Sequence, residues 1–172
     1  MTTRPHPRSA LLLLFAALIV VVSACSSDTV DEPSDLELAP DFAVPTAAGG
    51  TFSIDKHIAD DGRPIFLNLW ASWCFPCREE MPAIDEASKI NSDIAFVGIS
   101  VQDTTSDAQA FLDEVQVSYT IGFDEEGTVD DEYRPLGLPA SYIISSDGVI
   151  LERIFGKVTV EGLAEKFKTH FG

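Results

Sequence analysis

The residues best placed to do chemistry are two sulfurs in the run Trp73-Cys74-Phe75-Pro76-Cys77. Cysteines at i and i+3 lie one helical turn apart, so a helix carries both to a common face, where they can close an intramolecular disulfide. The run follows an apolar stretch, Pro64 to Ala71, and precedes Arg78-Glu79-Glu80-Met81-Pro82-Ala83-Ile84, which has helical spacing. A strand that delivers two cysteines to the start of a helix suits thiol chemistry, because the free N–H groups and the positive end of the helix dipole stabilise a thiolate. The chemistry implied is dithiol/disulfide exchange. Two rivals stand beside it: a purely structural disulfide, and a metal site, although two sulfurs alone do not complete a tetrahedral zinc shell.

Position along the helix gives the two sulfurs different tasks. Cys74, at the helix start, gains most from the dipole and is expected to be exposed and to form a mixed disulfide with a partner. Cys77, one turn in and shielded, is expected to resolve it. Pro76 is tolerated in the first turn, where its missing N–H has no intrahelical partner, and Phe75-Pro76 together set the packing that tunes the pair's potential. Glu80 follows Cys77 by three residues and shares the cysteine face. A carboxylate there shuttles protons to the resolving sulfur, opposes its ionisation by like charge, or is a plain solvated helix residue. Trp70 and Trp73 read as packing residues, with Trp73 also shaping the docking surface, and Pro82 is expected to kink the helix. His57 and His170 read as surface residues with no tie to the pair.

The elements that must hold this pair follow in chain order. Asp41 to Val44 and Thr51 to Ile54 read as two short strands around Gly49-Gly50, and Asp60 to Pro64 as a loop before the apolar strand. After the cysteine helix, Ile94 to Val101 is a short β-branched apolar run of the kind found in buried parallel strands. Ser106 or Asp107 is expected to cap a helix marked by Ala110, Phe111 and Val115, with a short extended piece, Tyr119 to Phe123, behind it. Asp124 to Glu132 is acidic and contains a glycine but lacks the D-x-D-x-D-G order of a calcium loop, so it reads as a solvated turn. Leu136-Gly137-Leu138-Pro139-Ala140 leads to a strand, Ser141 to Ile144. Ser146-Asp147-Gly148 turns into Val149 to Ile154, and Thr159 starts a last helix carrying Leu163, Phe167 and Phe171. This order builds an α/β fold with a mixed central sheet flanked by helices, extended at its N terminus by a β-hairpin.

A chain of 172 residues has room for one such domain and appendages. Its net charge of −17 disfavours nucleic acid, whose binding relies on cationic neutralisation of phosphates. Residues 1–24 have the form of an export signal: Arg4 and Arg8 without an acid, an apolar stretch from Ala10 to Val22 too short for a comfortable membrane span, then Ser23-Ala24. Val22-Ser23-Ala24-Cys25 resembles the lipobox of bacterial lipoproteins, which implies cleavage before Cys25 and lipidation of its sulfur. Lipidation also accounts for the odd third cysteine. Two acyl chains would hold the protein stably on a membrane where one would be marginal. Residues 25–38, polar and acidic, read as the lipidated cysteine and a disordered tether, and 39–172 as the domain.

Leu69-Trp70-Ala71-Ser72-Trp73-Cys74-Phe75-Pro76-Cys77-Arg78-Glu79-Glu80-Met81-Pro82, with Gly137-Leu138-Pro139-Ala140-Ser141-Tyr142-Ile143-Ile144 and Asp147-Gly148 downstream, resembles the thioredoxin superfamily. More narrowly it is similar to the extracytoplasmic TlpA/ResA-like thiol-disulfide oxidoreductases, whose opening is matched by Ala39-Pro40-Asp41-Phe42. The resemblance implies a thioredoxin-like fold and an enzyme whose redox carrier is the dithiol itself, with no cofactor and no metal. It makes Pro139 the counterpart of the superfamily's cis-proline, turning the Leu138 backbone toward the disulfide so that a partner peptide finds a strand-like contact. Docking then falls to Trp73, Phe75, Pro76 and Leu138. The same branch carries an acid at the offset of Glu80, while Asn68 stands where ordinary thioredoxins keep a titratable Asp. The resemblance favours a lipid-anchored reductant on the extracytoplasmic face of the cell membrane, fed by an integral-membrane thiol transporter of the CcdA/DsbD kind. Its partners would be disulfides of exported proteins, such as apocytochromes c or copper-site proteins. A disulfide-forming oxidase on the same scaffold and a copper-binding chaperone without redox turnover are the competing readings.

Overall fold

The structure, a computed structural model, describes residues 36–172; the expected signal, Cys25 and nearly all of the tether lie outside them. In chain order the elements are β1 (Ala43–Pro45), β2 (Thr51–Ser53), α1 (Ile54–Asp60), β3 (Ile65–Trp70), α2 (Phe75–Ile90), β4 (Ala95–Ser100), α3 (Thr105–Val115), β5 (Thr120–Phe123), α4 (Thr128–Tyr133), β6 (Ala140–Ile144), β7 (Ile150–Phe155) and α5 (Val160–Phe171). β1 and β2 pair as the expected antiparallel hairpin. The other five strands form one mixed sheet in the order β5-β4-β3-β6-β7, with β3, β4 and β5 parallel and β6 and β7 antiparallel to their neighbours.

β3 is central and buried at every position, which is why its sequence is a continuous apolar run rather than an alternating one. Its alternating side chains divide the core. Ile65, Leu67 and Leu69 face the hairpin, α1 and α4, joining Phe42, Val44, Ile54, Val129 and Tyr133. Phe66 faces the other way, onto Ile84 of α2 and Phe167 of α5, and Trp70 onto Met81 of α2 and Phe111 of α3. Asn68 shares this second face, beneath α2.

Several local expectations are corrected. The Ser53 hydroxyl accepts the Lys56 N–H and ends β2, so Ile54 opens a helix, α1, where the sequence shows only a strand and a loop. Within Asp124 to Glu132, expected to be a solvated turn, Asp124 is buried and accepts the Asp130 N–H at 2.9 Å. That stretch starts α4, whose Val129 and Tyr133 are buried one turn apart. Helix α3 is capped by Thr104, whose hydroxyl accepts the Asp107 N–H, and it buries Ala108, Phe111 and Leu112 while Ala110 is exposed. Glu37 to Ala39, expected to fall mostly in the tether, lie along the β6–β7 turn: Ile150 N–H donates to Glu37 O and Ala39 N–H to Gly148 O, each at 2.8 Å. Among the described residues no helix is long and apolar enough to cross a membrane.

Candidate active site

Four residues past the end of β3, Cys74 occupies the N-cap of α2. Elsewhere in the chain the side chains of Ser53, Thr104 and Thr159 cap helices by accepting an N–H from the first turn. Here the acceptor is a sulfur: Cys74 Sγ receives the Cys77 N–H at 3.3 Å. The sulfur most exposed to the helix dipole therefore also holds a first-turn donor, and a thiolate at that place would bind the same donor more strongly. Cys74 and Cys77 are joined as a disulfide, with Sγ–Sγ 1.99 Å and Cα–Cα 5.3 Å.

The two sulfurs differ in access, though less than expected. Cys77 is fully buried and Cys74 retains 4% of its surface, so Cys74 offers a partner a narrow approach rather than an open face. The residues around it are open instead. Trp73 is 62% exposed and Phe75 70%, which makes the rim of the disulfide apolar. The Trp73 indole is fixed by donating to Gln102 O at 3.0 Å. Pro76 and Leu138 are half-buried, and Leu138 packs on the cluster that contains both cysteines. Pro139 is buried and the Leu138–Pro139 peptide is cis. Beside Trp73 lies a hollow of about 490 Å³ whose carboxylates, Asp103, Asp107, Asp124, Glu125, Glu126 and Asp130, carry no facing cation in its lining.

Glu80 is the residue that the structure changes most. It is fully buried, not a solvated helix carboxylate. Oε1 accepts from Asn68 Nδ2 at 2.9 Å and Oε2 from the Val158 N–H at 2.9 Å. Burial pushes its pKa up to about 7, against the lowering effects of those two donors and of the Lys157 charge. Asn68 Nδ2 also donates to Ser141 Oγ at 3.0 Å, so three central elements meet at this amide.

Sequence reasoning misses the clamp that sets the cysteine loop. Asp103 accepts the Ser72 N–H at 2.6 Å and the Thr104 N–H at 2.9 Å. Arg78 ties the same loop to α3 through Ser72 O and Glu114, with its guanidinium 4.2 Å above the Phe111 ring. The Ser72–Asp103 and Arg78–Glu114 contacts span 31 and 36 positions and leave no local pattern to read. Pro82 sits on the exposed side of α2, which continues to Ile90. His57 and His170 are half-buried rather than on the surface and engage Arg63 O and Glu152, away from the sulfurs. Among the described residues no group of three His, Cys, Asp or Glu side chains is placed to hold a metal ion.

Known proteins resemble this chain in sequence and fold. The AhpC/TSA family model matches residues 36–153. Thiol-disulfide oxidoreductase ResA of Oceanobacillus iheyensis is 28% identical over 158 residues, 90% of this chain and 82% of that protein. Thiol:disulfide interchange protein CycY of Rhizobium leguminosarum bv. viciae is 34% identical over 135 residues, 77% of this chain and 72% of that protein. The solved structure of a thiol-disulfide oxidoreductase from Bacteroides fragilis superposes with a TM-score of 0.66 at 26% identity, covering 78% of this chain and 100% of that one.

Proposed function

This chain belongs to the AhpC/TSA family and is a thiol-disulfide oxidoreductase of the ResA and CycY type, and we propose that it acts as a reductant of disulfides in exported proteins. The Cys74 thiolate attacks a partner disulfide; one partner sulfur leaves as a thiolate and a mixed disulfide forms. The Cys77 thiol gives up its proton and attacks Cys74, releasing the second partner sulfur and closing the Cys74–Cys77 disulfide. Two electrons pass to the partner, whose two thiolates take up two protons. An integral-membrane thiol transporter of the CcdA/DsbD kind returns two electrons, and the dithiol itself is the only redox carrier.

The direction rests on one observation, the buried Glu80 carboxylate one turn from Cys77. An uncompensated acid near the pair disfavours thiolate in the reduced form, the opposite of what a strong oxidant needs, and near neutrality it can accept the Cys77 proton. Trp73, Phe75, Pro76 and Leu138 form the docking rim, and Pro139 backs the strand-like contact made at Leu138. Lipidated Cys25 and residues 26–36 hold the domain off the extracytoplasmic face of the membrane, while Glu37 to Ala39 are bonded to the domain itself. Apocytochromes c are the partners that the likeness to TlpA/ResA-like enzymes implies, and copper-site proteins present the same chemistry.

Trapping tests the roles: Cys77→Ser should accumulate mixed disulfides through Cys74, and equal trapping by Cys74→Ser overturns the assignment. The equilibrium potential of the pair tests the direction, since a value near the roughly −120 mV of a strong oxidant would make the protein an oxidase.

A further inference from the structure

Three consecutive residues between β4 and α3 grip the cysteine loop. The Val101 N–H donates to Trp70 O at 2.9 Å, Gln102 O accepts from the Trp73 indole at 3.0 Å, and Asp103 Oδ2 accepts the Ser72 N–H at 2.6 Å. The middle one has an uncommon backbone. Gln102 has φ +52°, in the left-handed region that few residues with a side chain adopt. The other two such non-glycine residues among those described, Gln116 and Arg134, are the C-caps of α3 and α4, where that backbone closes a helix. Gln102 closes no helix. Its carbonyl is turned to Trp73, and its side chain reaches the other way.

There Gln102 Nε2 donates to both carboxylate oxygens of Asp130, at 2.9 and 3.1 Å. Asp130 belongs to α4, and its backbone carbonyl accepts the Arg134 N–H at 2.9 Å, where the helix gives way to loop 134–138 and Pro139. A single residue thus joins the exposed indole next to Cys74 to the helix that delivers Leu138. The surface shows the same junction. The hollow of about 490 Å³ beside Trp73 and a second of about 580 Å³ beside Arg134 and Pro135 share two lining residues, Gln102 and Asp130. Helix α4 does not depend on this bond to stay folded, because it buries Val129 and Tyr133, and the Tyr133 hydroxyl donates to Pro40 O at 3.0 Å. What the bond fixes is how far α4 and its loop stand from Trp73.

We infer that Gln102 is a positioning residue for partner recognition: bonded to Asp130, it holds the Trp73 side and the Leu138 side of the docking rim at the spacing that an extended segment of a protein partner spans. This rests on the reading of Trp73 and Leu138 as docking residues. A protein disulfide arrives on a chain that must lie against both sides at once. A small disulfide reaches Cys74 without touching both, so its reaction does not depend on the bond.

The test mixes reduced protein, in a single turnover, with insulin or with β-hydroxyethyl disulfide, so that Cys74 and Cys77 supply both electrons and close their own disulfide. Gln102→Glu keeps the length of the side chain but sets a carboxylate against Asp130. Its rate constant with insulin should fall about fivefold, the scale of one hydrogen bond, while the rate with the small disulfide and the potential of the pair stay as in the wild type. Adding Asp130→Asn restores the bond with donor and acceptor exchanged and returns the net charge to that of the wild type, so the double variant should recover the insulin rate. Where Trp73→Ala slows insulin, a Gln102→Glu variant as fast as the wild type, an equal loss on both disulfides, or a double variant without recovery overturns the Gln102 bridge alone. Trp73→Ala as fast on insulin as the wild type overturns the docking reading of Trp73 and the bridge with it. Wild-type protein inert toward both disulfides overturns the reductant reading and the bridge together.

Discussion

Glu80 and Asp85 lie five residues apart on α2, both buried, and the molecule treats them in opposite ways. Burial dominates at Glu80 and lifts its pKa to about 7, because its two donors are uncharged and its nearest cation, Lys157, is bonded to Glu79 instead, at 2.9 Å. Burial acts the same way on Asp85 but is outweighed by Lys89 and by both donors of Ser118, so its pKa is lowered. Desolvation makes a carboxylate titrate near neutrality, and a bonded cation turns it into a fixed structural charge. The difference separates the part of α2 that can exchange protons from the part that anchors the helix to the loop before β5.

The contrast breaks most visibly in the pH dependence of stability. Folded protein keeps the Glu80 proton up to about pH 7, whereas the unfolded chain releases it near 4.5. Between those values the folded state binds more protons, so its stability falls as pH rises through the window, by about 3 kcal/mol at about 1.4 kcal/mol per pH unit. Denaturant midpoints of the oxidised protein from pH 4.5 to 8 should show that decline, and Glu80→Gln should flatten it. A decline that survives the substitution would place the titrating group elsewhere.

Asp85 predicts the opposite sign and a smaller effect. Its folded pKa is lowered from 3.8, so it contributes stability above that value and loses it as pH falls through the folded value. Asp85→Asn keeps an acceptor for Ser118 but gives up the charge that holds Lys89, at a cost of about 1 kcal/mol near neutral pH. That cost should vanish in strong acid, and the potential of the Cys74–Cys77 pair should not move. A changed potential would show that Asp85, too, acts on the sulfurs.

What the sequence discloses of this contrast depends on the range of each interaction. The Cys74–Cys77 pair, the buried β3 and the Thr159 cap are local patterns, and the cis peptide before Pro139 follows from its motif. Helix α1 buries only Ile54, too little for a helical period to show against a strand. The acidity of Asp124 to Glu132 hides α4, because its buried members, Asp124, Val129 and Tyr133, are spaced among exposed acids. Spacing puts Glu80 on the cysteine face, but its burial is decided by Asn68 twelve positions earlier and by Val158 seventy-eight positions later. Nothing within one helical turn shows that this face is closed to solvent at Glu80, while the adjacent Glu79 is exposed and paired with Lys157.

That exposed neighbour gives the finest test of the comparison. Lys157 lowers the Glu80 pKa through space while its bond goes to Glu79, and the pair is open to solvent on both sides. Lys157→Met should therefore raise the Glu80 titration midpoint slightly at low salt, as followed by the carboxyl carbon resonance of labelled Glu80. Added salt should shrink the difference between variant and wild type, because exposed charges are screened over about 10 Å at 0.1 M. Stability at neutral pH should change by less than about 1 kcal/mol, as for other exposed pairs. A large rise that persists in salt would mean that Lys157 reaches Glu80 as Lys89 reaches Asp85, and the two carboxylates would then differ in degree rather than in kind.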